Sequence, residues 1–232
     1  MRSESDASLA GEMRAVTCLA CGYHVAVPFY DGGDQPLTTL GWPTSADEAR
    51  SMVRLPHDYV CCVDCGHVWN AAFDWRDVPY TEHPTLMYNA GLRWSDHLRS
   101  ARQAMLERLT DTPTVVEIGH GDASFLTALS QSRPNGRFVG FDPNGAARAN
   151  GTPIELRQSL FEPGVHLPEL RPDLLISRFV FEHLTDPVGF LQQISFAAVC
   201  GGIEPLMYIE VPCIDRAVET RRVVDFYYEH NQ

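Results

Sequence analysis

Two short cysteine pairs stand out by their spacing: Cys18-Leu-Ala-Cys21-Gly22 and Cys62-Val-Asp-Cys65-Gly66. A two-residue spacer lets both thiolates of a pair turn onto one ion. The glycine after the second cysteine lets backbone N–H groups come close to sulfur. Together the pairs offer four soft ligands, Cys18, Cys21, Cys62 and Cys65, in the pattern of a tetrahedral structural zinc site. Four thiolates leave no open coordination position, so the metal is expected to hold the fold and not to act on substrate. Cys61 is a register rival to Cys62 but breaks the symmetry of the spacing, and His67 could replace a thiolate. The competing reading is four reduced cysteines in a small core. Cys200 and Cys213, far down the chain, are expected to be buried thiols.

A second stretch with chemical potential is Glu117-Ile-Gly119-His120-Gly121-Asp-Ala-Ser124. It falls at a strand-to-helix turn, where glycines permit a ligand to lie against the backbone at the ligand-binding edge of an α/β sheet. A dinucleotide site competes for this pattern, but two details oppose it. Glu117 ends the strand where phosphates would have to be accepted, and Ala123 or Ser124 stands in place of the third glycine. The next strand ends Gly140-Phe-Asp142-Pro143, which places a carboxylate to accept hydrogen bonds from both ribose hydroxyls. A ligand with a ribose, a cationic centre and no phosphate fits these two acids better than NAD. S-adenosylmethionine is that ligand.

The elements that must position these residues follow from composition and periodicity. The chain has 232 residues, 44% hydrophobic and 21% charged, enough to bury a sizeable core. A net charge of -12 argues against nucleic acid as a partner. The N-terminus lacks an apolar signal segment, and no run is long enough to span a membrane. A cytoplasmic protein acting on a small-molecule substrate is therefore expected, and in that compartment paired cysteines point to metal. Oligomeric state is not legible.

Residues 1–14 read as a flexible N-terminus and 15–85 as a small zinc-binding domain with one capped helix at 44–52. Residues 86–110 form a linking helix, centred on 94–109, with Trp94, Leu98, Ala101, Met105, Leu106 and Leu109 on one face. Residues 111–232 read as a Rossmann-like cofactor domain. Its strands fall at 114–118, 137–141, 153–158, 173–177 and 206–211, with helices after the first and after Asp186-Pro187. Alternating strands and helices predict an α/β fold, a parallel sheet covered on both faces.

With these residues in view, the chain resembles class I S-adenosylmethionine-dependent methyltransferases. Within them it is similar to the zinc-containing sugar C-3 methyltransferases of deoxysugar biosynthesis. The stretches that carry the likeness are the two cysteine pairs, Gly33-Asp-Gln-Pro-Leu37, Cys65-Gly-His-Val-Trp-Asn-Ala-Ala-Phe-Asp74, Glu117-Ile-Gly-His-Gly121, Ser177-Arg-Phe-Val-Phe-Glu-His183, Glu210-Val-Pro212 and Asp225-Phe-Tyr-Tyr-Glu-His230. The resemblance implies cofactor contacts from Glu117, Gly119, Gly121 and Asp142, with Pro143 and Arg178 beside them. His120 replaces the family's usual Cys or small residue and implies a changed contact with the methionine end. The family continues past the last motif, whereas this chain stops at Gln232, so complete substrate binding is not implied.

The same resemblance assigns active-site roles to Tyr227, Glu229 and His230. Carbon methylation next to a ketone needs a base, and imidazole titrates near neutrality. His230 is expected to be that base, with Glu229 orienting it and Tyr227 donating to the developing enolate oxygen. Against this stands a terminal aromatic segment that only packs on the sheet. Glu182 and His183 either line the pocket or cap the structure, and Asp186 is expected to be a helix N-cap. Methylation of oxygen or nitrogen, a cofactor-binding scaffold without activity, and a nicotinamide-dependent enzyme remain open alternatives.

Overall fold

The cysteine pairs flank a three-stranded antiparallel sheet of order β1 (Ala26–Pro36), β2 (Arg54–Cys62) and β3 (Val68–Asn70). The computed structural model describes residues 13–37, 43–81, 91–145, 147, 151, 153–223 and 226–231. The expectations for residues 1–12 and 86–90 and for Asp225 lie outside the described residues. Side chains on the small sheet alternate between two faces. Val60, Cys62 and Trp69 pack with Cys18 and Ala26 around the cysteine pairs, while Tyr59 and Val68 pack with Ala217 and Phe226. Helix α1 (Ala46–Ser51) is capped by Ser45, whose side chain accepts from the Glu48 N–H.

Helix α2 (Leu92–Leu106) begins two residues before the expected 94 and ends three before the expected 109. It buries Ala101 and Met105, and Leu98, Leu106 and Leu109 pack on the same core, so the predicted face is the buried one. The elements that follow are β4 (Thr114–Ile118), α3 (Ser124–Ser132), β5 (Arg137–Phe141), β6 (Ile154–Arg157), α4 (Pro163–Leu170), β7 (Leu174–Arg178), α5 (Pro187–Gly201), β8 (Leu206–Glu210) and α6 (Ile214–Thr220). The five strands form one parallel sheet of order β6-β5-β4-β7-β8.

Period-two alternation in β4 splits the core. Val115 joins Phe125, Leu126, Leu129, Phe138 and Ile176 beneath α2 and α3. Val116 and Ile118 join Val139, Phe141, Leu167, Leu175 and Ile194 beneath α4 and α5. Both faces are covered, the α/β arrangement that near-continuous apolar strands require. Strand order reverses between β4 and β7, and in open α/β sheets ligands bind beyond the carboxyl ends of the strands at such a reversal.

Two expectations need correction. Cys200 and Cys213 are exposed, not buried, because Cys200 lies at the solvent-facing end of α5 and Cys213 in the turn before α6. No helix among the described residues is long and apolar enough to cross a membrane.

Candidate active site

The turn after β4 owes its shape to its glycines. Gly119 and Gly121 take φ of 70° and 53°, the left-handed region where a side chain is strained. A Cβ on Gly119 would lie 2.3 Å from Cγ2 of Val180, so the loop after β7 presses directly on this turn. The Gly119 N–H donates to the Phe141 carbonyl at 2.7 Å, which ties the turn to the end of β5. Asp142 then clamps the bend, one carboxylate oxygen accepting from the Gly121 N–H at 3.0 Å and the other from the Asn144 N–H at 2.8 Å. Pro143 follows it, half-buried. His120 is buried and its ring lies against Gly140, where a Cβ would meet it at 2.7 Å.

Glu117 lies below the turn and is only 2% exposed. It shares the β4 face of Val115, under α3. Its Oε2 has no hydrogen-bond partner among the described residues. Burial pushes Glu117 up to about 8, against the pull of nearby Arg178. The acid expected to meet a cofactor from the strand end is therefore tucked behind the glycine bend. Arg178 is held on the same side, where it donates to Glu210 at 2.7 Å and lies 4.1 Å over the Phe125 ring.

The 227–230 motif sits beside the loop after β7. The His230 N–H donates to the Tyr227 carbonyl at 3.1 Å, closing a turn. That turn sets the two rings 4.8 Å apart. His230 stands edge-on to His183 at 5.1 Å, and Glu229, fully buried, reaches His183 Nδ1 at 3.8 Å. Burial and the neighbouring His230 hold His183 well below the ordinary imidazole value, which keeps it neutral. Burial, with the charge of Glu229 behind it, pushes Glu182 up to about 8. The Tyr80 hydroxyl lies 3.5 Å from His183 Nδ1, and burial followed by the charge of Glu229 raises its pKa. The cluster adjoins the glycine bend, since Val180 is two residues before Glu182 and the Thr81 carbonyl accepts from Asn144 at 3.5 Å.

A family model described as a methyltransferase domain matches residues 90–232. The chain belongs to this methyltransferase family. Among curated proteins none matches it. Among solved structures it is similar to a coclaurine N-methyltransferase bound to N-methylheliamine and SAH, at 17% identity and a TM-score of 0.39, over 54% of this chain and 38% of that one. It is also similar to the plantazolicin methyltransferase BpumL in complex with a monoazolic desmethylPZN analog and SAH, at 15% identity and a TM-score of 0.42, over 59% of this chain and 57% of that one. The chain thus spans less than two thirds of the length of these structures.

In this methyltransferase-family chain, residues 119–121, 142 and 227–230 come to one edge of the parallel sheet. His183 lies beside Glu229 and His230, and Glu182 is buried next to it in the chain. Asp186 is an N-cap, accepting from the Gly189 N–H at 2.8 Å. Tyr80 went unread in the sequence. It lies in an irregular stretch with no local signature, and only its tertiary contact with His183 reveals it.

The four paired cysteines converge away from this edge. Cys18 and Cys65 sulfurs lie 3.7 Å apart, Cys21 and Cys62 sulfurs 3.6 Å apart, and all four within 4.8 Å of one another. The two turns are near copies. The Gly22 N–H donates to the Cys18 carbonyl at 3.0 Å, and the Gly66 N–H to the Cys62 carbonyl at 3.1 Å. Backbone N–H groups of Cys65 and Asp64 point at Cys62 and, offset in part by burial, hold that thiol down to about 7. Cys61 stays outside the cluster, on the opposite face of β2. His67 stacks on Trp69 at 5.3 Å, with Nδ1 3.6 Å from the Cys18 sulfur.

Proposed function

We propose that the chain transfers a methyl group from S-adenosylmethionine to a small molecule, at a carbon next to a ketone, with His230 as the base. The observation that carries this reading is the placement of the His183–Glu229–His230 cluster, with Glu229 and His230 buried, beside a glycine bend closed by Asp142. The residues at the bend fit the cofactor. Gly119 and Gly121 hold the turn at positive φ, and Asp142, which closes it, offers a carboxylate for ribose hydroxyls. When bound, the cofactor supplies an electrophilic methyl group on a sulfonium.

The chain's own residues do the remaining work. His230 accepts the proton from the carbon. Tyr227 donates to the enolate oxygen, and preorganised donors of this kind are worth most where water is excluded. Glu229, next to His230 in the chain and 3.8 Å from His183 Nδ1, orients the imidazole pair. Glu182 and Glu229 are buried, which keeps bulk water from the cluster. Holding the reacting carbon in line supplies much of the rate.

The cysteine cluster fits structural zinc. Four thiolates about 2.3 Å from one tetrahedral ion stand roughly 3.8 Å apart, close to the 3.6 and 3.7 Å seen. Cys18, Cys21, Cys62 and Cys65 would hold the ion and leave no position for substrate.

The test is kinetic. His230→Ala is expected to lower methyl transfer to a responsive keto sugar by about 10²- to 10⁴-fold and to leave S-adenosylhomocysteine affinity unchanged by calorimetry. Unchanged turnover removes His230 from the base role. Tight NADH binding in place of S-adenosylhomocysteine overturns the cofactor assignment.

A further inference from the structure

The segment 226–231 is gripped from both sides, and the grip from the cysteine-bearing sheet is the more extensive. Tyr59 and Asn70 are cross-strand partners in the β2–β3 hairpin, and the turn of that hairpin is the Cys62–Cys65 knuckle. The Tyr59 hydroxyl donates to the Tyr227 carbonyl. Asn70 Nδ2 donates to the Tyr228 carbonyl at 2.9 Å. Trp69 forms an antiparallel bridge with Asn231. On the sheet side, the Asn231 N–H donates to the Glu182 carbonyl at 2.8 Å.

Asn70 has no hydrogen-bonding capacity to spare. Its second donor goes to the Pro56 carbonyl at 2.9 Å, and its oxygen accepts from the Asp58 and Ala72 N–H groups at 3.0 and 3.2 Å. A side-chain amide has two donors and two acceptor sites, and all four are used on backbone. Tyr59 is fully buried, with the Phe226 ring edge-on at 4.9 Å. Two rigid side chains therefore fix the carbonyls of Tyr227 and Tyr228, the residues immediately ahead of Glu229 and His230.

We infer that the cysteine-closed hairpin is the positioning frame of the base, with Tyr59 and Asn70 as positioning residues that aim His230 without touching substrate. The inference rests on His230 being the base. A misplacement of about 1 Å can cost on the order of 10²-fold in rate, so a single lost tether is enough to register.

The experiment uses the full chain with Tyr59→Phe, which removes one hydroxyl and keeps the buried ring, and Asn70→Asp, which keeps the acceptor oxygen and deletes both donors. Turnover, S-adenosylhomocysteine affinity and the side-chain nitrogen NMR signals of His183 and His230 are read in the same samples. Tyr59→Phe is expected to lower kcat by roughly 10- to 100-fold, with S-adenosylhomocysteine affinity unchanged. It is also expected to move the His230 and His183 ring signals and leave those of His166 in place. Asn70→Asp is expected to do the same more strongly. Wild-type turnover and ring signals in both variants overturn the inference, as does cofactor affinity falling in step with kcat. A wild-type chain that methylates no keto sugar defeats the base assignment alone, and the ring signals then decide the positioning role.

Discussion

Glu117 allows a direct test of the electrostatics beneath the glycine bend. Burial pushes its carboxyl to about 8 in the native chain, from an ordinary value of 4.5. Between those values the native state binds more protons than the unfolded state, so stability falls as pH rises through the window. Below about 4.5 both states hold the proton and above about 8 neither does, so the contribution is full at the acid end and lost at the alkaline end. A tenfold change in proton affinity is worth about 1.4 kcal/mol. Mid-window, stability should therefore drop by about 1.4 kcal/mol per pH unit, towards a ceiling on the order of 5 kcal/mol.

Glu117→Gln keeps the shape but does not titrate. Denaturant melts of both proteins from about pH 5 to about pH 8 isolate the effect, because ΔG is read by linear extrapolation at each pH. Glu182, also pushed up to about 8, acts on both proteins and cancels in the difference. The wild type is expected to weaken steadily relative to Glu117→Gln as pH rises. Parallel curves would mean the carboxyl is ionised throughout, and the account of a desolvated acid behind the bend would fail.

Further outcomes follow from packing and ligation. Gly119→Ala puts a Cβ 2.3 Å from Val180 at φ 70°; with about 1–2 kcal/mol of left-handed strain added to that clash, S-adenosylhomocysteine affinity by calorimetry should fall at least about tenfold. Cys62→Ser should lose bound zinc in elemental analysis, whereas Cys61→Ser, outside the sulfur cluster, should keep it. Leu129→Ala, at a fully buried position between α3 and the sheet, should cost about 2–5 kcal/mol in a urea melt.

The parallel sheet is legible because its strands are short, largely apolar runs separated by helical segments. Its edges were read to within a residue or two. The small antiparallel sheet was not. Its long first strand shifts register between Pro28 and Tyr30 and again between Asp31 and Gly33, and each irregularity breaks the alternation that marks a strand. Helix α4 was missed because Pro168 lies inside it, and an interior proline reads locally as a stop. At the candidate site, the glycine bend, Asp142 and the 227–230 motif are singled out in the sequence by type and spacing. The burial of Glu117 does not, since an acid at a strand end looks the same in sequence whether it faces a ligand or a helix. Tyr80, Tyr59 and Asn70 matter through contacts made far along the chain, which no local pattern encodes.

The tether between Tyr59 and Tyr227 joins residues 168 positions apart. Everything that builds the parallel sheet lies between them. Contacts of such long separation form late, after the entropy of closing the intervening loop has been met. The His230 ring proposed as the base therefore takes its orientation from the docked cysteine-closed hairpin as well as from the parallel sheet. Under the proposed role of His230, competence for chemistry requires both the parallel sheet and the cysteine-closed hairpin to be in place.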